Sequence, residues 1–241
     1  MSVQLDGSTE WYTYSTPPAG SFTMCGWFRR DTDSGAEEGV VGITANSFFE
    51  WQGLIIIQGG DVIVVQDPGG SASTGITETT GTWRFFMLRY DTGAAVVDLK
   101  MCVNGASSSF TATAQRTSTT NATPTDLVIG AREPDGDAKF AGTFAFVKLF
   151  DSVLTDGDAL AERLYRNPQQ ASYAAYKFAS GALTTDSSGN SRTLTSNGTP
   201  VHSTDEPSDI LGDDPAASST VGAGINKGLV NRGLINSGLI N

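Results

Sequence analysis

The residues in this chain able to act on a ligand are few, and most are acidic or aromatic. Glu133, Asp135 and Asp137 lie together in Glu133-Pro134-Asp135-Gly136-Asp137, and Asp156 and Asp158 flank Gly157. A hard cation such as calcium takes several oxygens from one flexible loop. Glu133, Asp135 and Asp137, with Asp6 as a further donor, are therefore the candidate calcium set. The same run reads equally as a solvated acidic turn, which is the preferred reading. Trp11, Tyr12, Tyr14 and Trp51 have the flat apolar faces that stack on a sugar ring, although aromatics of a sheet protein also build its core. The single histidine, His202, sits in a Pro/Thr/Ser segment with no nucleophile signature beside it. No phosphate-binding glycine loop, zinc-ligand spacing or G-x-S-x-G run is present. These residues point to binding rather than catalysis.

The elements that must position them are strands. Trp83 to Gly105 reads as a hairpin at the centre of the fold. Trp83 to Tyr90 is aromatic and apolar on both faces, interrupted only by Arg84 and Arg89, as for a strand covered above and below. Asp91-Thr92-Gly93 supplies the turn. In the second strand Val97, Leu99, Met101 and Val103 point one way, and Asp98, Lys100 and Cys102 the other. Asn104-Gly105 then closes it. Further strands are expected at Val3 to Leu5, Trp11 to Tyr14, Phe22 to Arg30, Val40 to Thr44, Phe48 to Ile57, Asp61 to Gln66 and Leu127 to Ile129. Ser109 to Gln115, small and polar, reads as an edge strand. Ser71 to Thr80, almost all Ser, Thr and Gly, reads as irregular chain. Thr155 and Asp158 predict a helix cap, with Ala159 to Tyr165 giving about three turns that stop at Asn167-Pro168.

The order of these segments resembles the laminin G-like, concanavalin A-like jelly rolls, which include the pentraxins and many lectin modules. The resemblance rests on the Trp-opened hairpin ending in Val103-Asn104-Gly105, on Leu5-Asp6-Gly7, and on Ser21-Phe22-Thr23-Met24-Cys25-Gly26-Trp27-Phe28. It continues in Leu127-Val128-Ile129-Gly130-Ala131, in the closing strand Phe140 to Phe150, and in Leu154-Thr155 before the helix, so that it spans residues 3 to 166. It implies an all-β concanavalin A-like sandwich with one short helix, and a family that often holds calcium in its loops. Its glycosidases carry two carboxylates on one strand in an E-x-D-x-x-E arrangement, so that acid and nucleophile face one sugar; that run is absent here. Tyr173 to Phe178, Asp186-Ser187-Ser188-Gly189-Asn190 and Leu194 to Thr199 resemble a run that usually precedes the family's first strand. Here it follows the helix, as a circularly shifted order or as added terminal strands.

The chain has 241 residues with a formal net charge of −11, 28 glycines and 17% charged residues. Such a balance excludes nucleic acid as a partner, since no basic stripe exists to displace counterions. Apolar runs are strand-sized, well short of a membrane span. Met1 to Leu5 carries neither the charged region nor the apolar stretch of a signal peptide. Cytosolic synthesis is accordingly expected, with Cys25 and Cys102 as two buried reduced thiols; a cross-strand pair is the alternative.

The expected organisation is a sandwich over residues 1–204, with 170–204 as its added terminal strands, a linker over 205–220, and an arm over 221–241. The arm repeats Gly-Leu-Val-Asn, Gly-Leu-Ile-Asn and Gly-Leu-Ile-Asn from Gly228 to Asn241, after a degenerate copy at Gly224 to Lys227. Leu229, Val230, Leu234, Ile235, Leu239 and Ile240 form aliphatic pairs that three short turns cannot bury alone. Partner chains are expected to cover them. The function expected is therefore a non-catalytic structural protein of a larger assembly: a phage virion decoration or cement protein, made in the host cytoplasm and located on the virion. It would be a homo-oligomer, with a trimer among the open stoichiometries, and would dock on capsid or fibre proteins without an obligatory cofactor. The alternative is a carbohydrate-binding adhesion module of a tail fibre or surface lectin.

Overall fold

The computed structural model describes residues 1–44, 51–105, 109–118 and 123–214, with the side chain of Trp51 outside that set. The strands are β1 (Ser2–Asp6), β2 (Trp11–Tyr14), β3 (Phe22–Arg30), β4 (Glu38–Thr44), β5 (Trp51–Gln58), β6 (Val62–Asp67), β7 (Gly70–Thr77) and β8 (Trp83–Asp91). They continue as β9 (Val96–Val103), β10 (Ala112–Thr117), β11 (Asp126–Ile129) and β12 (Ala141–Phe150). After helix α1 (Asp156–Glu162) come β13 (Ala174–Tyr176), β14 (Thr195–Asn197) and β15 (Val201–Ser203). One sheet runs β10-β9-β8-β3-β12-β1-β15, with β13 also on β12, and the second runs β14-β2-β11-β4-β5-β6-β7. Among the described residues two antiparallel sheets face each other with one helix outside them, the all-β jelly-roll sandwich that the resemblance implies.

Alternation along the central hairpin explains the layers. Phe86, Leu88 and Tyr90 of β8 point between the sheets, where they meet Phe22, Met24, Val97, Leu99 and Met101. Trp83 and Phe85 point outward and pack with Cys25, Trp27, Cys102, Phe146 and Phe150. The strand is thus covered on both faces, each large apolar side chain contributing about 1.5–3 kcal/mol by leaving water. Leu154, Leu160 and Ile210, from the α1 region and the C-terminal segment, form the outer cover.

Three expectations change. Ser71 to Thr80 is not irregular: β7 pairs with β6 at the sheet edge. Its residues alternate between half-buried and exposed, so a period of two carries no hydrophobic contrast. Arg116 on β10 reaches Asp67 at 2.7 Å and the Ser71 carbonyl at 3.3 Å, drawing the edges of the two sheets together.

The helix is also shorter than expected, ending at Glu162. Thr155 caps it by accepting from the Asp158 amide at 3.2 Å. Lys148 then draws the Glu162, Tyr165 and Asn167 carbonyls to its ammonium at 2.9, 2.6 and 3.2 Å, which turns the chain away from the helical path.

Residues 170–204 add β14 and β15 to the edge strands β2 and β1, and β13 to the end of interior strand β12 beyond its pairing with β1. Residues 205–214, expected as linker, instead lie against the sandwich. Leu211 donates to the Leu164 carbonyl at 2.8 Å, and Arg166 and Asn167 donate to Gly212 and Asp213 at 2.9 Å. The rest of the expected linker and the arm, with Leu229, Val230, Leu234, Ile235, Leu239 and Ile240, lie outside the described residues.

Candidate functional site

Three loops meet at one end of the sandwich: residues 7–10 between β1 and β2, 130–140 between β11 and β12, and 198–200 between β14 and β15. Close backbone approach assembles them. Gly198, at φ +70°, leaves room for only a hydrogen against the Thr9 carbonyl, 2.6 Å from where a Cβ would stand. Gly130, at φ +85°, packs on Leu5 in the same way.

The β1–β2 loop is closed by two carboxylates. Asp6 accepts from the amides of Ser8, Thr9 and Glu10 at 2.8, 2.8 and 3.1 Å, and from the hydroxyls of Ser8 and Thr9 at 2.8 and 2.6 Å. Glu10 returns the contact by accepting from the Asp6 amide at 2.9 Å. Burial pushes the Asp6 carboxyl up, but the Thr9 and Ser8 donors outweigh it and hold the group well below the usual carboxylate range. Burial pushes Glu10 up, and the Asp6 charge adds to that against the opposing bond from the Asp6 amide. Carboxylates with oppositely shifted pKa values are what a glycoside-cleaving pair displays. Here the split has a local cause: all five donors to Asp6 come from its own turn. Gln4, Leu5, Asp6, Glu10 and Val201 nonetheless line a pocket of about 210 Å³, with Val201 60% exposed at its edge.

The acidic loop lies on the neighbouring β2. Trp11 donates its indole Nε1–H to the Pro134 carbonyl at 3.0 Å. Gly136, at φ +84°, sits on the indole so closely that a Cβ would be 2.7 Å from it. The Lys139 ammonium stands 5.0 Å from the centre of the Trp11 ring. Asp137 pairs with Arg132, which also pairs with Glu37.

The sequence-derived candidates separate accordingly. Trp11 is half-buried, carries the acidic loop and belongs to this rim. Tyr12 is fully buried in the inter-sheet core and is withdrawn as a sugar platform. Tyr14 shares its inward direction, half-buried against the same core. A strand turns alternate side chains to opposite faces, so Trp11-Tyr12-Thr13-Tyr14 cannot present its three aromatics on one surface. Trp51 opens β5, and its side chain lies outside the described residues.

Glu133, Asp135 and Asp137 share a loop but not a site. Glu133 is buried, Asp135 exposed and Asp137 paired with Arg132. No group of three or more metal-ligating side chains forms among the described residues. His202 lies opposite Val3 on β15. Cys25 and Cys102 are both buried and free. The Asp6–Glu10 pocket escaped the sequence reading; the signal available was Asp6 followed four residues later by Glu10 across a Gly-Ser-Thr turn.

Residues 6–159 match the laminin G-type family model of the concanavalin A-like lectin/glucanases superfamily, and the chain belongs to that family. By sequence, no curated protein matches it. Among solved structures, a candidate carbohydrate-binding protein of Bacteroides ovatus superposes with a TM-score of 0.61 at 17% identity, over 86% of this chain and 60% of that one. The heptameric SAP-like pentraxin of Limulus polyphemus gives 0.48 at 13% identity, over 67% and 80%. The CBM40 module of the Ruminococcus gnavus IT-sialidase, solved with α2,3-sialyllactose, gives 0.48 at 12% identity, over 66% and 95%. At 17% identity the likeness to the Bacteroides ovatus protein is one of fold.

Proposed function

We propose that this chain is a non-catalytic carbohydrate-binding module carried by a larger assembly, and that the rim pocket beside β1 and β15 receives the glycan. The observation that carries the reading is the pocket's mixed lining: exposed Val201 for the apolar face of a sugar ring, and the Gln4 side-chain amide for its hydroxyls, with Asp6 committed to holding the loop. Membership of a lectin-containing superfamily and the fold shared with the Bacteroides ovatus protein support it.

Six buried carboxylates outside the pocket are committed to the fold, which supports a module without hydrolytic chemistry at those positions. Glu38 is held by Arg30, Asp67 by Arg116, Glu78 by Arg84, Asp98 by Arg89 and Glu162 by Lys148. Asp186 is held by the Ala175, Ser188 and Arg192 amides. A glycosidase needs one such acid free to meet its substrate.

A glycan array on the full chain, with and without calcium, followed by calorimetry on the best hit, tests the reading. Val201→Asp and Gln4→Ala should each weaken binding at least about tenfold, the scale of one lost buried contact. An array without a selective hit, or hits indifferent to both substitutions, refutes this site.

The terminal repeat favours a second element of the same reading. Its aliphatic pairs suit docking on partner chains of a virion, as a decoration or cement protein that assembles as a homo-oligomer. Light scattering on the full chain and on Leu229→Ser/Leu234→Ser/Leu239→Ser decides it: a shift from oligomer to monomer is expected, and identical masses would remove the arm from assembly.

A further inference from the structure

Residues 205–214 carry five carboxylates, Asp205, Glu206, Asp209, Asp213 and Asp214, and each meets a partner on the sandwich. Asp205 pairs with Arg29, and Glu206 with both Arg166 and the Met1 ammonium. Asp209 lies 3.6 Å from Arg163, and Asp213 lies 3.3 Å from both Arg166 and Lys177. Asp214 accepts from the Asn167 amide at 2.8 Å. Beneath this charged layer Ile210 packs on the outer cluster of Trp27, Phe85 and Cys102, whereas its neighbour Leu211 is 68% exposed. Asp209 also accepts from the Gly105 amide at 3.0 Å. Its partner Arg163 approaches the Cys102 sulfur at 3.9 Å, so Cys102 lies directly under the segment. One aliphatic anchor, three backbone hydrogen bonds at residues 211–213 and a row of partly exposed ion pairs hold it. Such pairs are individually weak and screened by salt.

We propose that this face of the β8–β9 sheet is a binding groove for an acidic segment bearing an isolated aliphatic residue. Residues 205–214 fill it in cis as a charge-held strap that opens under ionic competition while the sandwich stays folded. In sequence, residues 215–220 separate the strap from the arm at 221–241. Opening it would free ten residues of chain, adding up to about 35 Å to the arm's reach, and would bare a basic groove rimmed by Arg29, Arg163, Arg166 and Lys177. Local opening of a segment with few apolar contacts is the low-energy event expected in a folded domain.

The two cysteines report it within one unmodified chain. Both belong to the outer cluster, but Cys102 lies under Arg163, which Asp209 of the strap meets, whereas fully buried Cys25 lies on β3 beside Lys148 of β12. Thiol labelling of the native full chain is followed by peptide mass spectrometry from about 0.05 to 1 M salt, where the Debye length shrinks to about 3 Å. Each rate is normalised to the unfolded chain. The Cys102 rate should rise about tenfold or more while Cys25 stays flat. The variant Asp205→Asn/Glu206→Gln/Asp209→Asn/Asp213→Asn should label fast at low salt and lose the salt dependence. A flat Cys102 rate, or both cysteines rising together, overturns the proposal. If the fourfold variant fails to fold, the wild-type salt series decides alone.

Discussion

Replacing Lys148 by methionine tests how the helix and the segment after it are held on the sheet. Lys148 lies on β12, is fully buried, and donates to Glu162 Oε2 at 2.7 Å as well as to three backbone carbonyls. Burial pushes its pKa down, with the nearby Cys25 and Glu162 opposing. Methionine keeps most of the volume and removes every donor, leaving Glu162 as a buried carboxylate without its cation. Breaking a buried pair from one side costs about 3–5 kcal/mol, or roughly 6–20 °C in Tm for a chain of this size. Glu162 also accepts from the Gln169 and Gln170 amides at 2.8 Å, bonds that glutamine preserves. Lys148→Met/Glu162→Gln should therefore recover about 1–2 kcal/mol relative to Lys148→Met, because the stranded charge is gone while the carbonyls remain unpaired. Urea unfolding followed by tryptophan fluorescence is the assay. Trp27 is a local reporter, since its indole donates to the Arg163 carbonyl at 3.0 Å beside the helix end. A single variant costing under about 1 kcal/mol, or a double variant equal to the sum of the singles, refutes the reasoning.

Three further outcomes follow from the rim, the core and the strap. Gly136→Ala requires both a φ of +84° and a Cβ 2.7 Å from the Trp11 ring, so it should destabilise by about 1–3 kcal/mol, and Trp11→Ala should relieve part of that in a double variant. Additive costs would mean that the indole and the loop are not in contact. Tyr12→Phe removes a buried hydroxyl with no hydrogen-bond partner among the described residues; stability should stay level or rise by up to about 1 kcal/mol, with glycan binding unchanged. A marked loss of stability would reveal a partner for that hydroxyl. Burial pushes Glu206 and Asp213 up, but the Met1 ammonium and Arg166 on Glu206, and Lys177 and Arg166 on Asp213, hold both below their ordinary values. Their contribution is therefore complete above the ordinary carboxylate range and lost as pH falls through it. Tm measured against pH should drop more steeply over that window in the wild type than in Glu206→Gln/Asp213→Asn, and equal slopes would contradict the assignment.

The sandwich was legible in the sequence wherever burial on both faces or strict alternation leaves a mark. Trp83 to Val103 could be placed as a central hairpin because its apolar side chains already sort to two faces. Strand β7 left no such mark, because an edge made of Ser, Thr, Ala and Gly looks like a turn until its partner is known. For the aromatics of β2, the strand period sends Trp11 outward and both tyrosines inward, so Tyr12 and Tyr14 serve the core, the commoner place for aromatics in a sheet protein. The strap shows where local reading stops. Asp205 to Asp214 has the composition of a linker, and nothing within ten residues contradicts that. Its partners lie 40 positions back at Arg166, 176 back at Arg29 and 205 back at Met1. A polar segment becomes structure only when the fold has already gathered opposite charges along its path, so composition cannot separate a tether from a cover. The same reasoning applies to the Asp6–Glu10 pocket, whose third wall, Val201, is adjacent in space but arrives from β15, late in the chain. Both sites depend on β15 pairing with β1, which places the pocket's apolar edge, Val201, four residues before the root of the strap at Asp205. A substitution that unpairs β15 should therefore weaken glycan binding and strap closure together, whereas substitutions on either side of it should separate them.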